Sequence, residues 1–362
     1  MRKTRIYPII QALVAAGLFG ISVPLAKLLL GEMQKITLAA LLYLGSGMGL
    51  LVYRGLRRIW SGSASGEARL NKNDAFWLIG AILTGGVSAP IVLMFSLQNT
   101  PAATASLLLN FEGVATTLIA TFAFKETAGR RIGFAIIFIT VASIMLSMKL
   151  GESWGVSFGA LGVLCACTLW GIDNNFTRNI SAKDPTAIVI IKGLCAGSFS
   201  LILAIFLGNS FPKWIVVVAA LVLGCFSYGV SIALFVFSLR SLGAARTSAL
   251  YGTSPFVGVV VSFLLFREAP DMLFLLSLPL MIVGVYLLFS EKHDHLHTHV
   301  AIEHDHVHRH GEHHIHEHAF KEISKREKHS HLHKHKPITH KHFHRPDIHH
   351  RHSHENTNQK TS

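Results

Sequence analysis

Histidine is absent from the first 292 residues of this 362-residue chain. Most of the polypeptide therefore lacks the side chain most used for proton transfer near neutral pH and for binding transition metals. Charge is scarce as well. Asp, Glu, Lys and Arg make up 15% of the chain, against about 25% in a soluble domain, which excludes an ordinary water-soluble globule for the first 290 residues. Only four cysteines occur, Cys165, Cys167, Cys195 and Cys225, all inside apolar stretches, where they read as small packing residues rather than disulfide partners. Cys165 and Cys167 sit about 200° apart around a helix, so they do not readily share one metal ion. No nucleotide-binding motif is present, which argues against an ATP-driven pump, and no catalytic constellation is visible, so an enzyme is not expected.

What the first 290 residues do contain is apolar sequence in long runs. Ten stretches, near 7–31, 35–54, 74–97, 101–124, 131–149, 156–178, 186–207, 214–238, 243–266 and 270–290, are each long enough to cross about 30 Å of hydrocarbon as a helix. Backbone groups find no water there, so only helices or a closed barrel can span. The runs do not alternate in polarity, which excludes the barrel. The expected fold class is all-α integral membrane, with ten transmembrane helices followed by a polar tail. The start, MRKTRIYPIIQALVAAGLFG, has a basic flank and an apolar core but no small-x-small cleavage site, and reads as an uncleaved first helix.

Basic residues set the orientation. Alternate loops on one side carry fifteen: Arg2, Lys3, Arg5, Arg54, Arg57, Arg58, Arg69, Lys72, Lys125, Arg130, Arg131, Arg178, Lys183, Arg240 and Arg246. The other side carries four: Lys35, Lys149, Lys213 and Arg267. The richer side is expected to be cytoplasmic. An even number of spans then returns the C-terminus to the cytoplasm, in a cell inner membrane.

The chain also repeats itself. FSLQNTPAATASLLLNFEGVATTLIATFAFKE (95–126) aligns without gaps onto FSLRSLGAARTSALYGTSPFVGVVVSFLLFRE (237–268), an offset of 142. LFGISVPLAK (18–27) matches LWGIDNNFTR (169–178), with the register shifted by nine residues across the longer loop near WSGSASGEARLNKN (60–73). Five helices is an odd number, so the second copy enters the membrane inverted, as in secondary transporters that alternate access around a midplane site. Residues 1–150 and 151–290 are taken as the two five-helix repeats, and 291–362 as the tail.

On the L-[FW]-G-I motif opening each half, and on the segment ending in [KR]-E before a further apolar helix, the sequence resembles the EamA-type members of the drug/metabolite transporter superfamily over roughly residues 10–290. The resemblance implies a substrate cavity between helices 1, 3 and 4 of one repeat and 6, 8 and 9 of the other. Its substrates range over amino acids, nucleotide sugars, purines and xenobiotics. One departure stands out: Ser254-Pro255 in the ninth span faces Glu112-Gly113 in the fourth, so a proline kink is expected in one half only.

Ionisable residues at helix centres cost about 2.5–3.5 kcal/mol each on insertion scales, so each requires a partner or a task. Glu112 lies mid-span beside Asn110 and one turn from Thr116; Asp173 opens the run Asp173-Asn174-Asn175; Lys192 is a turn into the seventh span. In a functional reading Glu112 and Asp173 bind a cation or exchange protons. In a structural reading Asp173 and Lys192 neutralise each other. The candidate substrate-binding residues are Glu112, Asn110, Asp173, Asn174, Lys192 and Trp170. Phe19, Tyr228 and Tyr251 are weaker candidates, better read as packing. Lys27 and Arg178, at matching positions near helix ends, are expected to reach toward lipid headgroups.

All 23 histidines fall between His293 and His354. The candidate metal ligands are His293, His295, His297, His299, His304, His306, His308, His310, His313, His314, His316, His318, His329, His331, His333, His335, His349, His350, His352 and His354. In H-x-H-x-H every second residue of an extended chain shares a face, and neutral imidazole suits nickel, cobalt, zinc and copper. Asp294, Glu303, Asp305, Glu312 and Glu317 add oxygen ligands. The tail lacks an apolar pattern and is expected to be disordered without metal.

Taken together, these features suggest a secondary exporter that requires no cofactor. Its leading substrate is a divalent transition metal, nickel or cobalt ahead of zinc. The alternative is a small metabolite such as an amino acid or a drug, with the tail a metal sensor or buffer. A membrane protein that stores or signals metal without transporting it is the third reading. The partners are the lipid bilayer and the solute; no nucleic acid is expected, and a homodimer stays open.

Overall fold

The computed structural model describes residues 3–61, 68–124, 129–149, 155–181, 183–242 and 244–289, together with the backbone of four short stretches in the tail. Helices α1 (Lys3–Gly20) and α2 (Ser22–Leu29) are followed by α3 (Lys35–Ser61). Next, α4 (Ala75–Ala81) and α5 (Ala89–Leu97) flank a π-helical turn, Ile82–Ser88. Then come α6 (Ala102–Leu108), α7 (Phe111–Phe124) and α8 (Arg130–Ser147). A two-residue antiparallel pair, β1 (Met148–Lys149) with β2 (Gly155–Val156), joins the halves. The second half runs α9 (Phe158–Asn179), α10 (Pro185–Phe206), α11 (Trp214–Gly224), a second π-turn Cys225–Val230, α12 (Ser231–Leu242), α13 (Ala244–Tyr251), α14 (Ser254–Phe266) and α15 (Met272–Phe289).

Among the described residues, eight helical segments are long and apolar enough to cross a membrane. The expectation was ten. Met272–Leu288 is apolar but shorter, and the 22-residue α9 carries Asp173, Asn174, Asn175 and Arg178. Phe122, Phe206, Leu264 and Tyr286 are exposed, as side chains facing lipid rather than water are.

Local chemistry starts and stops these helices. The Asp184 carboxylate accepts from the Thr186 and Ala187 amides at 3.0 and 3.2 Å, with Pro185 in the first turn of α10, an arrangement that uses donors the helix leaves free. Arg54 reaches the other Asp184 oxygen at 3.2 Å, tying α3 to α10 along their shared interface.

The two halves exchange their first helices. α1 packs on α12, α13 and α14 of the second half, while α9 packs on α4, α5 and α7 of the first. The crossings are built alike. A Cβ on Gly20 would lie 2.3 Å from the Ser254 carbonyl oxygen, and one on Gly171 would lie 2.9 Å from the Thr116 nitrogen. Gly20 and Gly171 are the glycines of the paired L-[FW]-G-I motifs, so each motif serves close approach of backbones.

A correction concerns the kink. Proline was expected to break one half only, yet both halves break: α6 from α7 at Leu109–Asn110, and α13 from α14 at Gly252–Thr253. The two breaks lie within one residue of each other at the 142-residue offset, which carries Leu109–Asn110 onto Tyr251–Gly252. Pro255 stands at the start of α14. In the first half Asn110 stands at the break, its side-chain amide donating to the Leu107 carbonyl at 3.0 Å beside its own backbone N–H at 3.3 Å.

The tail was expected to be disordered without metal. Its described backbone forms β3 (His293–His299), β4 (Glu303–His308), β5 (His329–Lys334) and β6 (Ile338–His344), with β3 antiparallel to β6 and β4 to β5. An alternation of period two suits a strand.

Candidate functional site

The break in the fourth segment places Glu112 in the first turn of α7. The helix dipole favours negative charge at that end, which helps a carboxylate to be tolerated within the membrane. Asn174 on α9 donates to Glu112 Oε1 at 2.8 Å and to Thr116 Oγ1 at 3.1 Å. Thr116 Oγ1 itself donates to the Glu112 carbonyl at 2.8 Å. Next to Asn174, Asn175 bridges the same two helices, donating to the Thr116 carbonyl at 3.0 Å and to the Gly171 carbonyl at 2.8 Å. Asn175 is buried and Asn174 exposed. One amide of the pair cements the α7–α9 contact while its neighbour presents a polar group at an accessible surface.

Asp173 belongs to a different cluster. Its Oδ2 pairs with Lys192 Nζ on α10, and its Oδ1 accepts from Thr177 at 3.1 Å. A Cβ on Gly85 would fall 2.0 Å from Asp173 Oδ2, so the carboxylate lies against the backbone of the first π-turn. The Gly85 carbonyl accepts from Tyr43 Oη at 2.6 Å and from Trp170 Nε1 at 3.1 Å. A π-turn shifts the helical hydrogen-bond pattern and such turns often mark functional positions. Here one carbonyl collects two side-chain donors from α3 and α9.

An aromatic group adjoins these residues. Tyr43 and Tyr228 rings lie 5.8 Å apart, Phe19 lies 5.8 Å from Tyr228 and 5.5 Å from Tyr251. Tyr251 Oη and Ser231 Oγ are 3.2 Å apart.

Of the six candidate substrate residues, the structure brings Glu112 and Asn174 together and joins Asp173 to Lys192, as the structural reading of that pair holds. Trp170 is buried with its indole N–H satisfied, and Asn110 turns to its own backbone. Lys27 departs from expectation: it donates to the Thr100 carbonyl and lies 6.0 Å from the Phe266 ring centre, packing between helices rather than extending to headgroups. Cys165 is exposed and Cys167 buried, the latter 3.6 Å from the Leu108 carbonyl oxygen. They do not form a shared site. Asn175 lay in the run Asp173-Asn174-Asn175, whose structural reading has the Asn pair bonding to neighbouring backbone, as Asn175 does; Tyr43 and Gly85 were not singled out from sequence. Gly85-Gly86 inside an apolar run was the one visible signal, since paired glycines in a strongly helical segment often mark a close contact.

Of the candidate metal ligands, His310, His313, His314, His316, His318, His335, His349, His350, His352 and His354 lie outside the described residues. Among the described residues, no group of three or more His, Cys, Asp or Glu is placed to hold a metal ion.

The family model of EamA-like transporters matches residues 6–148 and 157–290, once per half. The chain belongs to the EamA-like transporter family. It is therefore a transporter of that family with an apolar, multi-helix membrane body. An uncharacterized transporter of Methanothermobacter thermautotrophicus is 28% identical to this EamA-like chain over 298 residues, 79% of this chain and 87% of that protein. One protein of known crystal structure shares the fold at a TM-score of 0.57 and 17% identity, covering 78% of this chain and 98% of its own.

Proposed function

We propose that this EamA-like protein is a secondary exporter of a small organic solute bearing positive charge, such as an amine-containing metabolite or drug. It works in a cell inner membrane with both termini cytoplasmic, and it is driven by proton exchange or by the solute gradient. The observation that carries the reading is the unequal treatment of two carboxylates. Asp173 pairs with a lysine, whereas Glu112 meets the neutral amide of Asn174. A carboxylate held by a neutral donor retains charge with which to attract a cation or carry a proton. Tyr43, Tyr228, Phe19 and Tyr251 stand beside it as aromatic faces for the rest of the solute.

This reverses the order of substrates expected from sequence. A transition metal prefers several nitrogen or sulfur ligands in a fixed geometry, and Glu112 with Asn174 supplies oxygen from two residues. The metal reading keeps one observation in its favour, the 23 histidines of the tail. In that reading a cytoplasmic tail gathers nickel, cobalt or zinc at the inner mouth. In the organic-solute reading the same tail is a sensor or buffer.

Growth protection separates the two. Cells carrying the intact protein, Glu112→Gln, or a truncation after Ser290 are challenged with amino acids, amine drugs, nickel, cobalt and zinc. Protection against an organic amine that is lost in Glu112→Gln and kept in the truncation supports the first reading. Protection against a metal alone, lost on truncation, overturns it in favour of the second. Accumulation of the labelled compound in everted vesicles then gives the direction of transport.

A further inference from the structure

We propose that the tail closes around divalent transition metal as an antiparallel hairpin, residues 293–299 against 338–344 and 303–308 against 329–334, whose register sets histidine opposite histidine in two rows. This rests on the reading that the tail binds metal, and adds to it a fold, a register and a number of sites.

Three observations carry it. First, the two ribbons share one register. β3 pairs with β6 from His293↔His344 to His299↔Ile338, and β4 pairs with β5 from Glu303↔Lys334 to His308↔His329. Residues 300–302 on one arm and 335–337 on the other are equal in number, so a single uninterrupted count of partners serves both ribbons.

Second, the pairing matches like with like. His293, His295 and His297 stand opposite His344, His342 and His340; His304, His306 and His308 stand opposite His333, His331 and His329. Elsewhere Thr298 meets Thr339 and Glu303 meets Lys334, both favourable cross-strand pairs.

Third, the spacing of the sequence itself keeps that match. On the first arm the two-residue rhythm slips between His299 and His304, five positions apart, and on the second between His335 and His340, also five. A slip in one arm alone would leave histidines facing other residues beyond it. The two slips are displaced by two residues, His299 and His304 standing opposite Ile338 and His333, and because two is an even number histidine stays opposite histidine on either side. Within each ribbon the histidines of one arm are two residues apart and so share one strand face. The hairpin thus offers two separate rows of paired imidazole residues.

Metal is the natural closing agent. A lone two-stranded hairpin is marginal in water, and these arms have few apolar residues with which to stabilise it. Imidazole pairs suit nickel, cobalt, zinc and copper, and an ion that binds only the closed state stabilises it by mass action. Metal would therefore hold the tail in this paired form, giving a sensor a change of shape to report.

The test uses full-length protein in detergent with two added cysteines, the four native ones staying in their membrane helices. Leu296→Cys with Lys341→Cys joins register partners; Leu296→Cys with Leu332→Cys is out of register and closes a shorter loop. Both are oxidised mildly with glutathione disulfide, with nickel chloride or with EDTA. Tail-to-tail disulfides are quantified by peptide mass mapping, and bound nickel is measured in parallel. In an open chain the two pairs close almost equally often, because closure entropy varies only with the logarithm of loop length. The expected result is several-fold more of the 296–341 link than of the 296–332 link with nickel, a preference that EDTA removes. Nickel bound without any register preference overturns the hairpin and leaves metal binding intact. A preference that EDTA leaves unchanged overturns metal as its cause. No bound nickel overturns both the hairpin and the metal-binding reading beneath it.

Discussion

The two π-turns are equivalent by position and unlike in chemistry. Gly85 corresponds to Ser227 at the 142-residue offset, and both sit inside a π-helical turn of the third segment of their half. In the first, the Gly85 carbonyl takes two side-chain donors and its bare Cα admits the Asp173 carboxylate. In the second, Ser227 is fully buried and its hydroxyl has no hydrogen-bond partner among the described residues. The broken helices differ in the same way: Glu112-Gly113 against Ser254-Pro255. Duplication preserved the backbone irregularities, while the polar chemistry gathered around the first half's π-turn and break, with Asp173, Asn174 and Lys192 supplied by the second half. An inverted repeat needs matched bending elements to alternate access, but a solute needs only one charged anchor.

The largest effect should come from removing Glu112, the proposed anchor. Glu112→Ser, which gives the first half the second half's residue, is expected to abolish transport while the protein remains folded and monodisperse by size-exclusion chromatography. Adding Ser254→Glu to it tests whether position in the fold or the mere presence of a carboxylate matters. No recovery is expected, because α14 lacks the Asn174 partner.

The ion pair comes next. Asp173→Asn or Lys192→Met alone leaves its former partner charged and buried, costing about 3 kcal/mol. The double variant removes both charges and should recover most of the loss in thermal unfolding in detergent. If the double variant is as unstable as either single one, the pair's contribution is not mutual neutralisation.

Much of this was legible beforehand, for identifiable reasons. Apolar run length reports membrane helices directly, and the gapless match of 95–126 to 237–268 reports the repeat. The Asp173–Lys192 pairing was foreseeable because two opposite charges on consecutive spans have few other ways to be neutralised. The break at Leu109–Asn110 was not, since asparagine breaks a helix only where its amide finds a backbone acceptor, a fact of three-dimensional packing. The π-turns were hidden for a similar reason: Ile82–Ser88 has the composition of an ordinary apolar helix. The partnership of Glu112 with Asn174 joins residues 62 positions apart, and each was a candidate alone without anything in the sequence to pair them.

The π-turns give a smaller contrast. Gly85→Ala forces a methyl group against Asp173 Oδ2 and should destabilise by about 1–3 kcal/mol. Ser227→Ala removes a buried hydroxyl and should change stability by no more than about 0.5 kcal/mol, or raise it, since no described bond is lost. Unfolding midpoints of the two variants in one detergent compare them. Equal losses would mean that the second turn has hydrogen-bonding duties like those of the first.

The mildest change sharpens the comparison of the two breaks. Pro255 lacks an N–H and stands at the start of α14, where a helix leaves its amides unpaired in any case, so Pro255→Ala does not restore a lost helical bond. Thr253 Oγ1 already donates to the Leu250 carbonyl at 2.7 Å, serving in the second half as the Asn110 amide serves in the first. Asn110→Ala removes one of two donors to the Leu107 carbonyl, the backbone N–H at 3.3 Å remaining, and should cost about 0.5–1 kcal/mol, with Pro255→Ala costing less than that. If Pro255→Ala proves the more damaging, proline holds the second break, and the side-chain bond from Thr253 only accompanies a bend made by the backbone.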